Sequence, residues 1–166
     1  LMVPLAMAAV GVIASVIGTF FVRAGEKASQ QVLLGALRKG TFVAGAIIVV
    51  MAYFIVKNAL PIQYFGVYYS VITGLIAGMI IGQATQYFTS DHYKPTRKIA
   101  ESAQTGSATL IISGIAIGMS SALIPVLTIC IGIILAYFFA GGFTNASMGL
   151  YGVGIAAVGM LSTLGI

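Results

Sequence analysis

The chain has 166 residues, 60% of them hydrophobic and only 7% charged, with mean hydropathy +1.09 and net charge +5. Soluble domains carry about a quarter charged residues, so this composition excludes a water-soluble globular fold. The basic residues fall between apolar runs rather than along one face, which excludes a nucleic-acid-binding surface and fits membrane topology. The single cysteine, Cys130, lies inside an apolar run, which rules out a disulfide framework and predicts a small core residue.

An apolar helix needs about 20 residues to cross the hydrocarbon core. Residues 1–22 give the first predicted span. The basic segment 23–39 follows, where Val32, Leu33, Leu34 and Leu37 predict a weakly amphipathic helix at the interface. Spans at 40–57 and 65–88 come next, and then the polar segment 89–106. Residues 107–140 would make a helix of about 50 Å, long for one crossing and short for two. Gly118, Ser120, Ser121 and Pro125 mark a kink or a tight hairpin there. The last span is 146–166. The chain opens at Leu1 and closes at Ile166 inside apolar runs, without a recognisable signal peptide, which suggests a piece of a longer polypeptide.

Charge favours five spans over six. With 107–140 as one helix, 23–39 and 89–106 share a side and hold Arg23, Lys27, Arg38, Lys39, Lys94, Arg97 and Lys98, seven of the eight basic residues. The positive-inside rule makes that side cytoplasmic, with the N-terminus outside and the C-terminus inside. Phe20, Phe21, Phe42, Tyr87 and Phe88 then fall near the inner interface. Tyr53, Phe54, Tyr64, Phe65, Tyr137, Phe138 and Phe139 fall near the outer one, as an aromatic belt requires.

Small residues predict the helix packing. Gly74, Gly78 and Gly82 recur every fourth position, as do Gly114 and Gly118. Gly149, Gly152, Ala156, Gly159 and Thr163 line one face of the last span, and such stripes let helices approach closely. No ionisable residue lies near the middle of a span, so the chain by itself offers no obvious ion route. In the polar block, Asp91, His92 and Glu101 are too few for a convincing metal site. Ordinary local chemistry serves better: Ser90 or Asp91 turns the chain, Pro95 opens a short helix, and Arg97 and Glu101 are spaced to pair. There is no Gly-rich phosphate loop, no nucleophile with a base and no carboxylate pair.

The runs ATQYFTSDHYKP (84–95), AESAQTGSAT (100–109) and AAVGMLST (156–163) resemble membrane-bound, ion-translocating inorganic pyrophosphatases. An aromatic pair, Thr-Ser and Tyr-x-Pro close one helix in that family, and a Thr-Gly-x-Ala-Thr opens the next. Thr105, Gly106, Ala108 and Thr109 match the latter, and Gly159, Met160, Leu161, Ser162 and Thr163 match the motif of the following helix. The opening LMVPLAMAAVGVIASVIGTFFV is compatible with a preceding helix, so the resemblance covers essentially the whole chain. Gln86 stands where the family usually has glutamate, and Gln104 where arginine commonly precedes Thr-Gly; both remove charge at the membrane edge.

The resemblance implies an all-α polytopic membrane protein, about five transmembrane helices forming roughly the seventh to eleventh of a sixteen-helix pump. It implies a homodimer in the membrane lipid of, most simply, a prokaryotic inner membrane. Such a pump hydrolyses inorganic pyrophosphate with Mg2+, in some members with K+, and moves H+ or Na+. The aspartate and lysine clusters that hold magnesium pyrophosphate belong to other helices, before Leu1 and after Ile166. No catalytic, cofactor-binding or metal-ligating residue is therefore assigned here, and the chain alone is expected to be inactive. The competing readings are a small non-enzymatic membrane subunit and a secondary transporter, the latter disfavoured by the lack of polar residues at mid-span.

Overall fold

The computed structural model of the chain describes residues 2–22, 30–59 and 65–162, the side chains of 30, 31 and 59 excepted. Every regular element among them is a helix: α1 (Met2–Phe20), α2 (Gln30–Ala59), α3 (Gly66–Thr89), α4 (Lys94–Ser102), α5 (Ser107–Phe139) and α6 (Ala146–Leu161). All but α4 are dominated by apolar residues. α1, α2, α3 and α5 are long and apolar enough to cross a membrane, whereas the 16 described residues of α6 fall short of that length. Lipid offers backbone groups no hydrogen-bond partners, so a helix that satisfies its own is the natural solution for such runs. The chain is an integral membrane protein.

Two expectations about segments need revision. Residues 30–39 form the first turns of α2 rather than a separate interfacial helix, and Val32, Leu33 and Leu37 lie exposed on it. No proline or capping residue stops the helix before Ala59, and Gly35 and Gly40 cost too little to break it. Residues 23–29, with Arg23 and Lys27, lie outside the described residues. The stretch 107–139 is one helix of 33 residues with Pro125 inside it, and no hairpin interrupts it. Pro125 takes the usual donor away from the Ser121 carbonyl. Just before it, the hydroxyls of Ser120 and Ser121 donate to the carbonyls of Ala116 and Gly118, at 2.9 and 2.7 Å.

The chain divides into two compact units. The first comprises Leu1–Gly78 and Ile131–Ile166. In it α1 packs against α2 and α6. α1 buries Val3, Met7, Gly11, Ala14, Ser15 and Gly18, a stripe spaced three and four apart as a helix face requires. On α2 the fully buried residues Ala44, Ile48, Ala52 and Val56 recur at every fourth position.

Small residues set the contacts of α3, α5 and α6. A Cβ added at Gly74 would strike the backbone of Ala156, and one at Gly159 would come within 2.8 Å of the Val71 carbonyl oxygen. A Cβ at Gly149 would run into the Tyr137 ring, and one at Gly152 into Ala140. The α6 stripe is therefore a packing face, although Thr163 lies outside the described residues. Gly82, Gly114 and Gly118 behave differently: nothing among the described residues comes within 4 Å of a Cβ built on them. A periodic glycine run thus does not by itself bring a neighbouring helix, among the described residues, into contact.

A buried polar bond crosses this packing. Ser70 is fully buried on α3 and donates its hydroxyl to the Ala136 carbonyl of α5, at 2.9 Å. Ser70→Ala should cost about 1 kcal/mol of unfolding free energy in the intact protein, read by denaturant titration in detergent. An unchanged titration would show that the bond contributes nothing.

The same unit gathers aromatic rings at one end of its helices. Tyr53 meets Phe54, Phe65 and Tyr68, each with centroids 5.9 Å apart. Tyr69 meets Phe139, and Phe138 meets both Phe139 and Phe143. Lys57 places Nζ 5.7 Å from the Tyr53 ring centre, a cation–π geometry that suits a side chain reaching toward the membrane surface. Tyr64 lies outside the described residues. Along α3, Tyr69 and Tyr87 are eighteen residues apart, about 27 Å of helix, close to the thickness of a hydrocarbon core.

The second unit is Met79–Cys130. It contains the end of α3, all of α4 and most of α5, and Ala84 is its only buried hydrophobic residue among those described. Cys130 is exposed on α5, not in a core. An apolar neighbourhood signals burial in a soluble protein; in a membrane helix it equally marks a face turned to lipid or to another helix.

Candidate functional site

The polar block lies within the second unit and is built on the end of α3, the short helix α4 and the start of α5. α3 stops at Thr89, where Ser90 N–H still donates to the Gln86 carbonyl and Tyr93 N–H closes a turn on the Ser90 carbonyl, at 3.0 and 3.3 Å. The Ser90 hydroxyl oxygen accepts from His92 N–H at 3.4 Å, so Ser90 turns the chain. Pro95 lies in the first turn of α4, where its missing N–H costs nothing.

Hydrogen bonds fasten α4 at both ends. Thr96 Oγ1 donates to the Phe88 carbonyl on α3 at 3.2 Å. At the other end, Thr105 Oγ1 and Thr109 Oγ1 lie 2.8 Å apart, and they are 2.8 and 3.2 Å from the Ser102 carbonyl. Gly106, between those threonines, has φ +138°, a conformation side chains rarely adopt. The Thr-Gly-x-Ala-Thr run therefore has a structural cause: glycine permits the turn and the threonines tie α4 to the first turn of α5. Gly106→Ala should cost about 2 kcal/mol through backbone strain. Thermal unfolding of the intact protein in detergent checks this, with Gly82→Ala as the comparison that leaves the midpoint unchanged or slightly higher.

Asp91 and His92 stand in the turn before α4, and Glu101 stands near its end. Arg97 does not pair with Glu101; it reaches back and donates from Nε to the Asp91 carbonyl at 3.2 Å. The backbone turn brings that carbonyl within reach, and an exposed i, i+4 ion pair is worth too little to compete. Among the described residues, no three His, Cys, Asp or Glu side chains gather closely enough to hold a metal ion. With only three acidic residues in all, the donors of this chain do not fit a magnesium–pyrophosphate site. What the block presents is positive charge: Lys94, Arg97 and Lys98 are exposed on α4.

Sequence reasoning missed the ties that the Thr96, Thr105 and Thr109 hydroxyls make, because a hydroxyl's partner depends on how the chain folds back. It also passed over Ser70, although a serine in an apolar run is a visible signal that a buried partner is needed.

Comparison with known proteins gives the family to which these residues belong. The family model described as "Inorganic H+ pyrophosphatase" matches residues 1–166. The chain is 47% identical over 165 residues to the "Putative K(+)-stimulated pyrophosphate-energized sodium pump" of Bacteroides thetaiotaomicron, covering 98% of this chain and 22% of that protein. It is 44% identical over 168 residues to the protein of the same name from Clostridium tetani, covering 99% and 24%. It is 38% identical over 170 residues to the "K(+)-insensitive pyrophosphate-energized proton pump" of Caldanaerobacter subterraneus subsp. tengcongensis, covering 96% and 24%. The chain thus spans less than a quarter of the length of these relatives. Matched along its whole length by the family model, it belongs to the inorganic H+ pyrophosphatase family.

Proposed function

We propose that this chain is a membrane-crossing part of a pyrophosphate-energised ion pump, which couples hydrolysis of inorganic pyrophosphate to translocation of H+ or Na+. The observation that carries this reading is the family match over residues 1–166, on a chain whose long apolar helices suit a membrane. Its role in the pump is structural: α1, α2, α3 and α6 supply packed helices, and α4 with its flanking turns forms a cytoplasmic connection between α3 and α5. Magnesium pyrophosphate, with K+ where required, binds to acidic clusters elsewhere in the intact protein.

The positive charge of 89–106 supports placing that segment in the cytoplasm, with residue 1 outside and residue 166 inside. The reading includes a homodimer of sixteen-helix subunits in a prokaryotic inner membrane. The identities of 47% and 44% fall on relatives named as sodium pumps, against 38% for one named as a proton pump, so Na+ is the ion to test first. The test is the intact protein in sealed vesicles, supplied with pyrophosphate and Mg2+. Accumulation of radioactive Na+, or acidification of the lumen, is expected. Hydrolysis without movement of either ion, or no hydrolysis, overturns the proposal.

A further inference from the structure

The short helix α4 has the geometry of a lipid-headgroup contact. Lys94, Arg97, Lys98 and Glu101 follow one another at i, i+3, i+4 and i+7 and fill one exposed arc of the helix, about 100° wide. Pro95, Thr96, Ile99 and Ser102 fill the opposite arc and are half-buried. α4 therefore leans on the protein with one side and turns three cations and one carboxylate away from it.

Its depth is fixed by the ties at its ends. Thr96 binds the last turn of α3, and the hydroxyls of Thr105 and Thr109 reach the carbonyl of Ser102 in the last turn of α4. α3 and α5 are the apolar helices on either side, so α4 is held where both leave the hydrocarbon. The rings of Tyr87, Phe88 and Tyr93 cluster beside it, with Tyr87 5.2 Å from Phe88 and 5.0 Å from Tyr93. Tyrosines favour that same depth. Lysine and arginine side chains fixed there reach the level of lipid phosphates.

We propose that the cationic arc of α4 binds the phosphates of anionic phospholipid headgroups, and so anchors this end of α3 and α5 to the membrane surface. With Asp91 and Glu101 counted against Lys94, Arg97 and Lys98, residues 91–101 carry a net charge of +1. One net charge near an anionic surface corresponds to a preference of about fivefold for anionic over zwitterionic lipid.

The experiment uses the intact protein in a cysteine-free background, with a donor dye on Ala100→Cys, reconstituted in phosphatidylcholine vesicles. Trace acyl-labelled phosphatidylglycerol or phosphatidylcholine serves as energy acceptor. Transfer should favour phosphatidylglycerol about fivefold at low salt. That preference should fall below about twofold in 0.5 M potassium chloride, which shortens the screening length. The triple variant Lys94→Gln, Arg97→Gln, Lys98→Gln should lose it in the same way. Equal transfer to both lipids at low salt overturns the proposal. So does a preference that survives both the salt and the triple variant. Absence of transfer to either lipid means that another part of the protein covers α4, and that also overturns it. The salt arm needs no α4 charge substitution, so the result stands even if the triple variant fails to fold.

Discussion

Replacing Gly74 with valine is expected to destabilise the protein by about 3 kcal/mol or more, among the larger costs of a single overpacking substitution. A Cβ at Gly74 would lie 2.6 Å from the carbonyl carbon and 2.8 Å from the Cα of Ala156. Those are backbone atoms of α6 and cannot swing aside as a side chain can. The helices would have to separate, which would also disturb the neighbouring contacts at Gly78 and Gly159. Gly114→Ala is the comparison. It adds a methyl group to α5 where nothing among the described residues lies within 4 Å, and it replaces a poor helix former, so stability should hold or rise by up to about 1 kcal/mol. Unfolding of the intact protein in mixed micelles measures both. Equal effects at the two positions would show that the close approach of α3 and α6 does not limit stability.

The chain produced alone, residues 1–166, is expected to show no magnesium-dependent hydrolysis of pyrophosphate above that of an empty-vector membrane preparation. Pyrophosphate is a dense anion that is bound through magnesium ions, and each ion wants several oxygen ligands, carboxylates chief among them. This chain has Glu26, Asp91 and Glu101 and no other carboxylate side chain. Asp91 stands in the turn before α4 and Glu101 near its far end, and the described residues bring no third donor to either. The intact protein assayed beside it should be active. Measurable turnover by the purified 166-residue chain would contradict the assignment of the catalytic groups to the remainder of the pump.

Much of the fold is legible in the residues. The apolar runs gave the membrane class, and α1, α3 and α5 lie along them, because a run near twenty residues has few other solutions in lipid. The motif residues around Gly106 also point to the family by themselves. The start of α2 was harder to read. Arg38 and Lys39 look like a boundary in a hydropathy profile, but a helix continues through charged residues where nothing in the backbone stops it. Gly74 and Gly114 look alike in sequence and differ in surroundings, since a glycine stripe carries no record of whether a partner helix belongs to the same chain. Cys130 misled for a related reason: apolar neighbours do not distinguish an interior from a lipid-facing side. The ties made by Thr96, Thr105 and Thr109 depend on reverse turns, which the composition of 89–106 suggests only in outline.

The long helix α5 leads two different lives along its length. Its last residues, around Ala136, are fixed by neighbours: Ser70 bonds to one carbonyl, and Tyr137 closes against α6. Its earlier residues, among them Ile112, Met119 and Leu123, have more than 60% of their surface uncovered by this chain. In the intact pump that surface faces lipid or another helix, and neither offers its peptide groups anything better to bind. Where lipid is the cover, extraction into a detergent with a short tail weakens it over that part of α5 and leaves the other part intact. Water reaching the Ser120–Pro125 stretch, where a proline already removes one donor, would start the fraying. Handling losses in such a protein should begin in the middle of a helix rather than at its ends.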